Sequence, residues 1–211
     1  MSSYSPRWRS VFGEVDQART TADVEFLLRV LPLPQFTRIL DVPCGAGRHL
    51  RALSKLGYDV LGVDNDPAVS PAALCDLREL DSLPGGFDAV INMWASFGYF
   101  DADENERVLG SFARRLRPGG RLVLDVFNRE FFEGRDGERE LRPGIAERSW
   151  LDGVRRHCEI DYGDGHVDSF DWQLYTAAEL EFLAARSALR PVERRPSPLE
   201  PHLRLVLQLD G

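Results

Sequence analysis

The sequence predicts an α/β fold, a three-layer sandwich with helices on both faces of a mostly parallel sheet. Three observations carry that expectation. Short β-type apolar runs alternate with helix-spaced apolar residues between Val24 and Phe127. The earliest run, Ile39-Leu40-Asp41-Val42, enters Pro43-Cys44-Gly45-Ala46-Gly47 at once, and Leu50, Leu53 and Leu56 then recur at helical spacing. The 211 residues, 43% of them hydrophobic, suffice for one substantial core. Such a chain buries roughly 70% of its unfolded surface, so a single domain over residues 1–211 is expected.

The elements follow in order. Val24, Leu27, Leu28 and Leu31 recur at i, i+3, i+4 and i+7, which predicts an amphipathic helix starting near Thr20 or Thr21 and ended by Pro32 and Pro34. After the first strand, Gly45 and Gly47 lack Cβ, so the backbone can turn sharply and approach a ligand at the next helix's unpaired N–H groups. Gly57 fits the position that closes that helix, and residues 58–63 form the second strand with Asp64 at its end. Residues 65–71, with Pro67 and Pro71, leave room for one helical turn at most. A fourth strand at 89–92 follows the turn Pro84-Gly85-Gly86. Val108, Leu109, Phe112 and Leu116 mark a helix over 103–117, stopped by Pro118-Gly119-Gly120 before a fifth strand at 121–127.

Residues 129–175 are too many for a plain connection and should carry structure of their own. Segments 155–162 and 166–175, joined by Gly163-Asp164-Gly165, read as a β-hairpin, and 147–151 as a further strand. Phe131, Phe132, Trp150, Tyr162, Phe170, Trp172 and Tyr175 either line a cover over a ligand or form this insertion's own core. Thr176-Ala177-Ala178-Glu179 is a capping box, continued by Leu180, Leu183 and Ser187. Strands at 190–194 and His202–Leu209 finish the chain, with Pro196, Pro198 and Pro201 between them.

A strand, a glycine turn, a helix and an acid closing the next strand together read as a nucleotide-cofactor site, with Asp64 placed to hold a ribose. A dinucleotide fingerprint wants a third small residue where this chain has Leu50. Asp41, four residues ahead of Gly45, would repel a pyrophosphate but accept hydrogen bonds from an ammonium group. An amino-acid-bearing nucleotide is therefore favoured over a nicotinamide cofactor.

At these residues the chain resembles the class I S-adenosylmethionine-dependent methyltransferases. Asp41-Val42-Pro43-Cys44-Gly45-Ala46-Gly47 resembles their glycine-rich first motif, with Pro43 in place of its first glycine. Asp64 and the adjoining Asn65 resemble the ribose-binding end of the second strand, and Cys75-Asp76-Leu77 the adenine-binding segment after the third. Arg117-Pro118-Gly119-Gly120 resembles the turn into the fifth. A narrower resemblance, to glycine and amino-sugar N-methyltransferases, rests on Arg19-Thr20, on Met93-Trp94-Ala95-Ser96-Phe97-Gly98-Tyr99 and on Asp125-Val126-Phe127-Asn128. The resemblance implies a Rossmann-like sheet of seven strands in the order 3-2-1-4-5-7-6, strand seven antiparallel, with a small antiparallel β insertion after strand five. It also implies S-adenosyl-L-methionine as cofactor and S-adenosyl-L-homocysteine as product. Arg19 and Asp41 would frame the amino acid end, Asp64 the ribose, Asp76 and Leu77 the adenine, with Met93 and Trp94 near the amino acid end and Tyr99 near the acceptor.

Composition narrows the partners. With a formal charge of −8 the chain lacks the basic face that nucleic acid binding requires, and Arg114-Arg115, Arg155-Arg156 and Arg194-Arg195 read as solvated groups balanced by acids. No apolar stretch reaches the roughly 20 residues that cross a bilayer, and the first residues lack a signal-peptide core, so a cytoplasmic protein is expected. Cys44, Cys75 and Cys158 show no metal-ligand spacing, and neither metal nor disulfide is expected. Among the histidines, His49 reads as packing or capping, and only His157 and His166 are considered as bases; Tyr99 is the preferred catalytic residue. The expected activity is methyl transfer to a small-molecule acceptor, nitrogen favoured over oxygen, by a monomer or homodimer. The competing readings are a non-catalytic regulatory or accessory S-adenosylmethionine-binding protein, suggested by the short crossover at 65–71, and a nicotinamide oxidoreductase.

Overall fold

The computed structural model describes residues 7, 8, 11, 16–67, 72–195 and 199–211. Strands β1 (Arg38–Asp41), β2 (Asp59–Asp64), β3 (Ala73–Leu74), β4 (Phe87–Asn92), β5 (Leu116–Phe127), β10 (Leu189–Arg195) and β11 (His202–Leu209) form one sheet. Its order is β10-β11-β5-β4-β1-β2-β3. Counting strands by sheet position, this is the expected 3-2-1-4-5-7-6. β1 pairs in parallel with both β2 and β4, and β11 runs antiparallel to β5. The central strands are buried along their length because helices cover both faces, which is why they read as near-continuous apolar runs. One core cluster joins Leu40, Val90, Phe112 and Leu180; the other, on the opposite face, joins Leu27, Phe36, Ile39 and Leu53.

Helix α1 (Gln17–Val30) starts three residues before the expected Thr20. The reason is Asp16, whose side chain accepts from the Ala18 N–H and caps the helix ahead of its apolar stripe. Helix α2 (Arg48–Lys55) follows the glycine turn; Leu53 is buried, while Leu56 closes the helix and is exposed. Helix α3 (Ala102–Arg115) is capped by Asp101, which accepts from the Glu104 N–H. It ends before Leu116, which already belongs to β5, rather than at Arg117. A 3₁₀ turn at Leu77–Ser82, capped by Asp76, has no counterpart among the sequence expectations. Residues 68–71 of the short crossover, and 196–198 before β11, lie outside the described residues.

The insertion opens with a short helix α4 (Arg129–Phe132) and builds a second, four-stranded antiparallel sheet. Its strands are β6 (Gly137–Arg142), β7 (Ile145–Asp152), β8 (Arg155–Asp161) and β9 (Val167–Gln173), in sequence order. The β8–β9 hairpin is the expected one, closed where the Tyr162 N–H donates to the His166 carbonyl at 3.1 Å. β6 is an addition to the expected strands. Phe132, Cys158, Ile160, Trp172 and Leu174 form this sheet's own core, so most of the insertion's aromatics pack rather than hang free. Tyr175 departs from that group: it is buried in the main core with its ring 5.5 Å from Phe97. The insertion leaves and rejoins the main sheet at one point, where Asn128 bridges Tyr175 and the Arg129 N–H donates to the Tyr175 carbonyl.

Helix α5 (Ala177–Ala185) carries the expected capping box between Thr176 and Glu179, and ends before Ser187. No helix among the described residues is long and apolar enough to cross a membrane.

Candidate active site

The carboxyl ends of β1, β2 and β4 meet where the strand order reverses, which is where open α/β sheets bind ligands. Three backbone bonds shape the turn there. The Val42 N–H donates to Ile91, the Cys44 N–H to Val63, and the Gly47 N–H back to Cys44. Gly45 (φ +49°) and Gly47 (φ +71°) take left-handed conformations that residues with a side chain rarely adopt, and a Cβ added at Gly45 would meet nothing within 4 Å. The loop thus presents bare backbone to open space.

Asp64 builds the loop as well as facing it. Its Oδ2 accepts from the Gly45 N–H and its Oδ1 from the Asp66 N–H, each at 2.9 Å. Asn65 beside it is exposed. Asp41 is fully buried, and neither of its carboxylate oxygens has a hydrogen-bond partner among the described residues. Burial pushes its carboxyl up to about 6, against the pull of His49, of the Leu50 backbone N–H outside normal hydrogen-bond geometry, and of Arg48. A buried acid with two unmet acceptors is costly unless it is protonated or a donor arrives. Cys44 is buried, and burial with the charges of Asp41 and Asp64 pushes its thiol up to about 12, which removes it as a nucleophile.

Two buried acids behind the loop gather the cations of three elements. Asp23 on α1 meets Arg48 at 2.7 Å, Arg19 at 3.4 Å, His49 at 3.5 Å and also Arg204 of β11. Burial alone would raise its pKa, but hydrogen bonds from His49 and Arg48 and the charges of Arg204 and Arg48 hold it far below the usual carboxylate range. Asp125 on β5 meets His202 at 2.6 Å, Arg204 at 3.1 Å and Arg19 at 3.9 Å. Arg19, 38% exposed, is thus held at the rim of the site by two buried acids. Sequence reasoning gave neither acid this role, and Asp125 entered only as the first residue of the Asp125–Asn128 match. Asp23 had left a signal, since it shares the stripe of Leu27 and Leu31 at i, i+4 and i+8; Asp125 and Arg204 pair across two strands and left none.

The loop after β4 supplies the remaining wall. Met93 is buried and Trp94 is 37% exposed, with the Arg48 guanidinium 5.4 Å from its ring centroid. Trp94 (φ +66°) and Ala95 (φ +55°) both hold left-handed backbone, a strain that clusters at functional sites. The Ala95 N–H donates to the Asp125 backbone carbonyl at 2.7 Å, and Asn92 Nδ2 donates to the Val42 carbonyl at 2.8 Å, so the loop is tied to β5 and β1. Tyr99 ends this stretch half-buried, its ring 6.4 Å from Trp172 of the second sheet.

Not every expected residue faces the same hollow freely. Asp76 caps the 3₁₀ turn and accepts from Arg78 through both oxygens, at 2.9 and 3.0 Å. That pairing outweighs partial burial, which acts the other way, and holds its carboxyl below the ordinary range. Leu77 beside it is buried in the main core. His157 stacks on Trp150 at 5.1 Å and lies on the face of β8 opposite Cys158, while His166 is exposed and 3.1 Å from Asp168. Neither is brought to the glycine loop. The expectation that Arg155-Arg156 is solvated fails for Arg156, which points inward with Cys158 and Ile160 and is 9% exposed. Trp8 packs edge-on against Phe170 of the second sheet. Among the described residues no cluster could hold a metal ion.

Comparison with known proteins extends this geometry. Residues 14–192 match a family described as a methyltransferase domain. The chain is 27% identical over 184 residues to a glycine/sarcosine N-methyltransferase of Parasynechococcus marenigrum, covering 80% of this chain and 62% of that one. It is 30% identical over 124 residues to a dTDP-3-amino-3,4,6-trideoxy-α-D-glucopyranose N,N-dimethyltransferase of Streptomyces venezuelae, covering 52% and 50%. The chain therefore spans about half to three fifths of the length of these curated relatives. Among solved structures, the CcbJ methyltransferase of Streptomyces caelestis superposes with a TM-score of 0.78 over 96% of both chains at 19% identity. An amino pentose methyltransferase of Micromonospora echinaspora does so with 0.71 over 99% and 98% at 21%.

Proposed function

Because the chain belongs to the class I S-adenosylmethionine-dependent methyltransferases, we propose that it transfers a methyl group from S-adenosylmethionine to an amine nitrogen of a small molecule. The observation that carries this reading is Asp41, a buried carboxylate with both oxygens unmet, set beside a glycine loop open to a ligand. That arrangement fits a nucleoside bearing an ammonium and does not fit a pyrophosphate. The bound donor supplies an activated methyl group on a sulfonium, so the protein's task is to position rather than to activate.

In this reading Asp41 accepts from the ammonium and Arg19, steadied by Asp23 and Asp125, meets the carboxylate of the amino acid end. Pro43, Cys44, Gly45 and Gly47 bring backbone to the same end, and Met93 and Trp94 wall it. Asp64 accepts from ribose hydroxyls with the lone pairs that Gly45 and Asp66 leave, next to Asn65. Asp76 and Leu77 flank the adenine, Asp76 sharing its carboxylate with Arg78. Tyr99 contacts the acceptor. Nitrogen is favoured because the relatives named above are N-methyltransferases and because an unprotonated amine needs no dedicated base, which accords with His157 and His166 being engaged elsewhere.

The test is methyl transfer from labelled donor to a panel of glycine, sarcosine and amino sugars, run beside calorimetry of S-adenosylhomocysteine. Asp64→Ala is expected to weaken product binding by roughly 1–3 kcal/mol, the cost of leaving hydroxyls unpaired and the loop unsupported. Undiminished affinity in that variant would remove Asp64 from the site. Tyr99→Phe and Tyr99→Ala are expected to lower turnover while leaving S-adenosylhomocysteine affinity in place; unchanged turnover in both would remove Tyr99.

A further inference from the structure

A cleft of about 530 Å³ lies between the second sheet, helix α4 and the strand before it. Its apolar wall is Phe127, Phe131 and Phe132, and its polar lining includes Arg156. This arginine sits on the inward face of β8 with its guanidinium 4.0 Å from the Phe132 ring centroid. Nη2 donates to Ser149 Oγ at 2.7 Å, while the buried Nη1 has no partner among the described residues. Burial lowers its pKa, so an anion reaching it would relieve a standing cost.

The acids around the cleft offer only part of that relief. Glu147 lies 3.8 Å from Arg156 but is taken at 2.8 Å by Arg139. Asp136 accepts from the Leu151 N–H at 2.9 Å, and Glu138 is 3.8 Å from Arg148. Arg135, the remaining cation of the lining, lies over Phe131 and has no carboxylate partner among the described residues. Each lining acid thus has a partner, while Arg135 has no carboxylate and Arg156 keeps one nitrogen unmet among the described residues.

We propose that this cleft takes the anionic group of the methyl acceptor, a carboxylate or a phosphate, with Arg156 as the anchor and the Ser149 hydroxyl beside it. That the ligand is the acceptor rests on the methyl-transfer reading above. Its position agrees: Phe127 is the last residue of β5, its ring lies 5.6 Å from Trp172, and Trp172 lies 6.4 Å from Tyr99. The chain of rings Phe127, Trp172 and Tyr99 thus connects the cleft to the loop after β4. A planar guanidinium fork suits a carboxylate or phosphate, and an apolar body on the acceptor suits the phenylalanines.

Benzoate and phenyl phosphate, with benzamide as the uncharged control, are titrated by calorimetry into the full chain holding S-adenosylhomocysteine. The expected result is that at least one anion binds about tenfold or more tighter than benzamide, and that Arg156→Gln loses that advantage while keeping its affinity for S-adenosylhomocysteine. The stronger of the two anions identifies the acceptor's group. Equal binding of anions and benzamide, no saturable anion binding, or equal anion binding by wild type and variant overturns the proposal. Should Arg156→Gln fail to fold, Arg156→Lys and Ser149→Ala serve instead: weakened anion binding in Arg156→Lys supports it, and full anion affinity in both overturns it. Failure of the wild type to bind S-adenosylhomocysteine would instead overturn the methyl-transfer reading, and anion binding without the nucleoside would still stand or fall by Arg156.

Discussion

Asp41→Asn is expected to erase a pH dependence that the wild-type protein shows in its affinity for S-adenosylhomocysteine. Burial raises the Asp41 carboxyl from 3.8 to about 6 in the protein without ligand. A ligand ammonium favours the charged form, so below that value binding must first remove a proton. Affinity should be flat above about pH 7 and weaken by up to about tenfold for each pH unit below about 6. The linkage to stability has the opposite sense. A carboxyl whose folded pKa exceeds its unfolded one stabilises the ligand-free protein most below about pH 4, and that contribution is lost as pH rises through about 6. The substituted amide carries no such proton, so both slopes should flatten and the affinity at neutral pH should fall by roughly 1.5–3 kcal/mol, a charge-assisted bond replaced by a neutral one. Calorimetry and melting curves from acid to neutral pH decide it; a wild type that binds equally well at about pH 5 and about pH 8 contradicts the assignment.

Gly98→Ala is expected to be the most damaging single methyl in the molecule, costing roughly 2–4 kcal/mol of stability. Gly98 holds φ +106°, and an added Cβ would overlap the backbone carbonyl of Gln173. The same two residues are joined at 2.8 Å by the Gln173 N–H and the Gly98 carbonyl. Because the obstruction is backbone at the end of β9, no side chain can swing away. Either the loop carrying Trp94 and Tyr99 or the last strand of the second sheet must shift, so turnover should fall further than the melting temperature alone explains. A variant with wild-type melting and turnover would show that the two backbones are not in contact.

Both results bear on how far the sequence could be read. Most strands of the main sheet were legible because an apolar run marked each and glycine or proline marked its turn, as at Val42 to Gly47; their order came from the family resemblance, and the two exposed residues of β3 left no run to find. The Thr176 and Glu179 capping box was legible because both partners lie within one turn. Helix α1 starts earlier than its stripe because Asp16 caps a first turn that lacks apolar periodicity. β6, with five of its six residues exposed, buries no face, so Gly-Glu-Arg-Glu-Leu-Arg holds no alternation to find. Arg156 reads with its neighbour Arg155 as one solvated pair, although alternation on β8 sends them to opposite faces. The ionic cluster of Asp23, Asp125, Arg48 and Arg204 depends on residues far apart in the chain, and no local pattern encodes such a meeting.

The bridge between Asn128 and Tyr175 has a consequence for the protein's relatives. A segment whose two feet stand side by side can be lengthened, shortened or exchanged while the layers beneath keep their spacing. With the acceptor cleft proposed above, acceptor choice could evolve as a cassette on a constant chassis, and a graft cut at those feet is the natural boundary for an engineer who wants to test it.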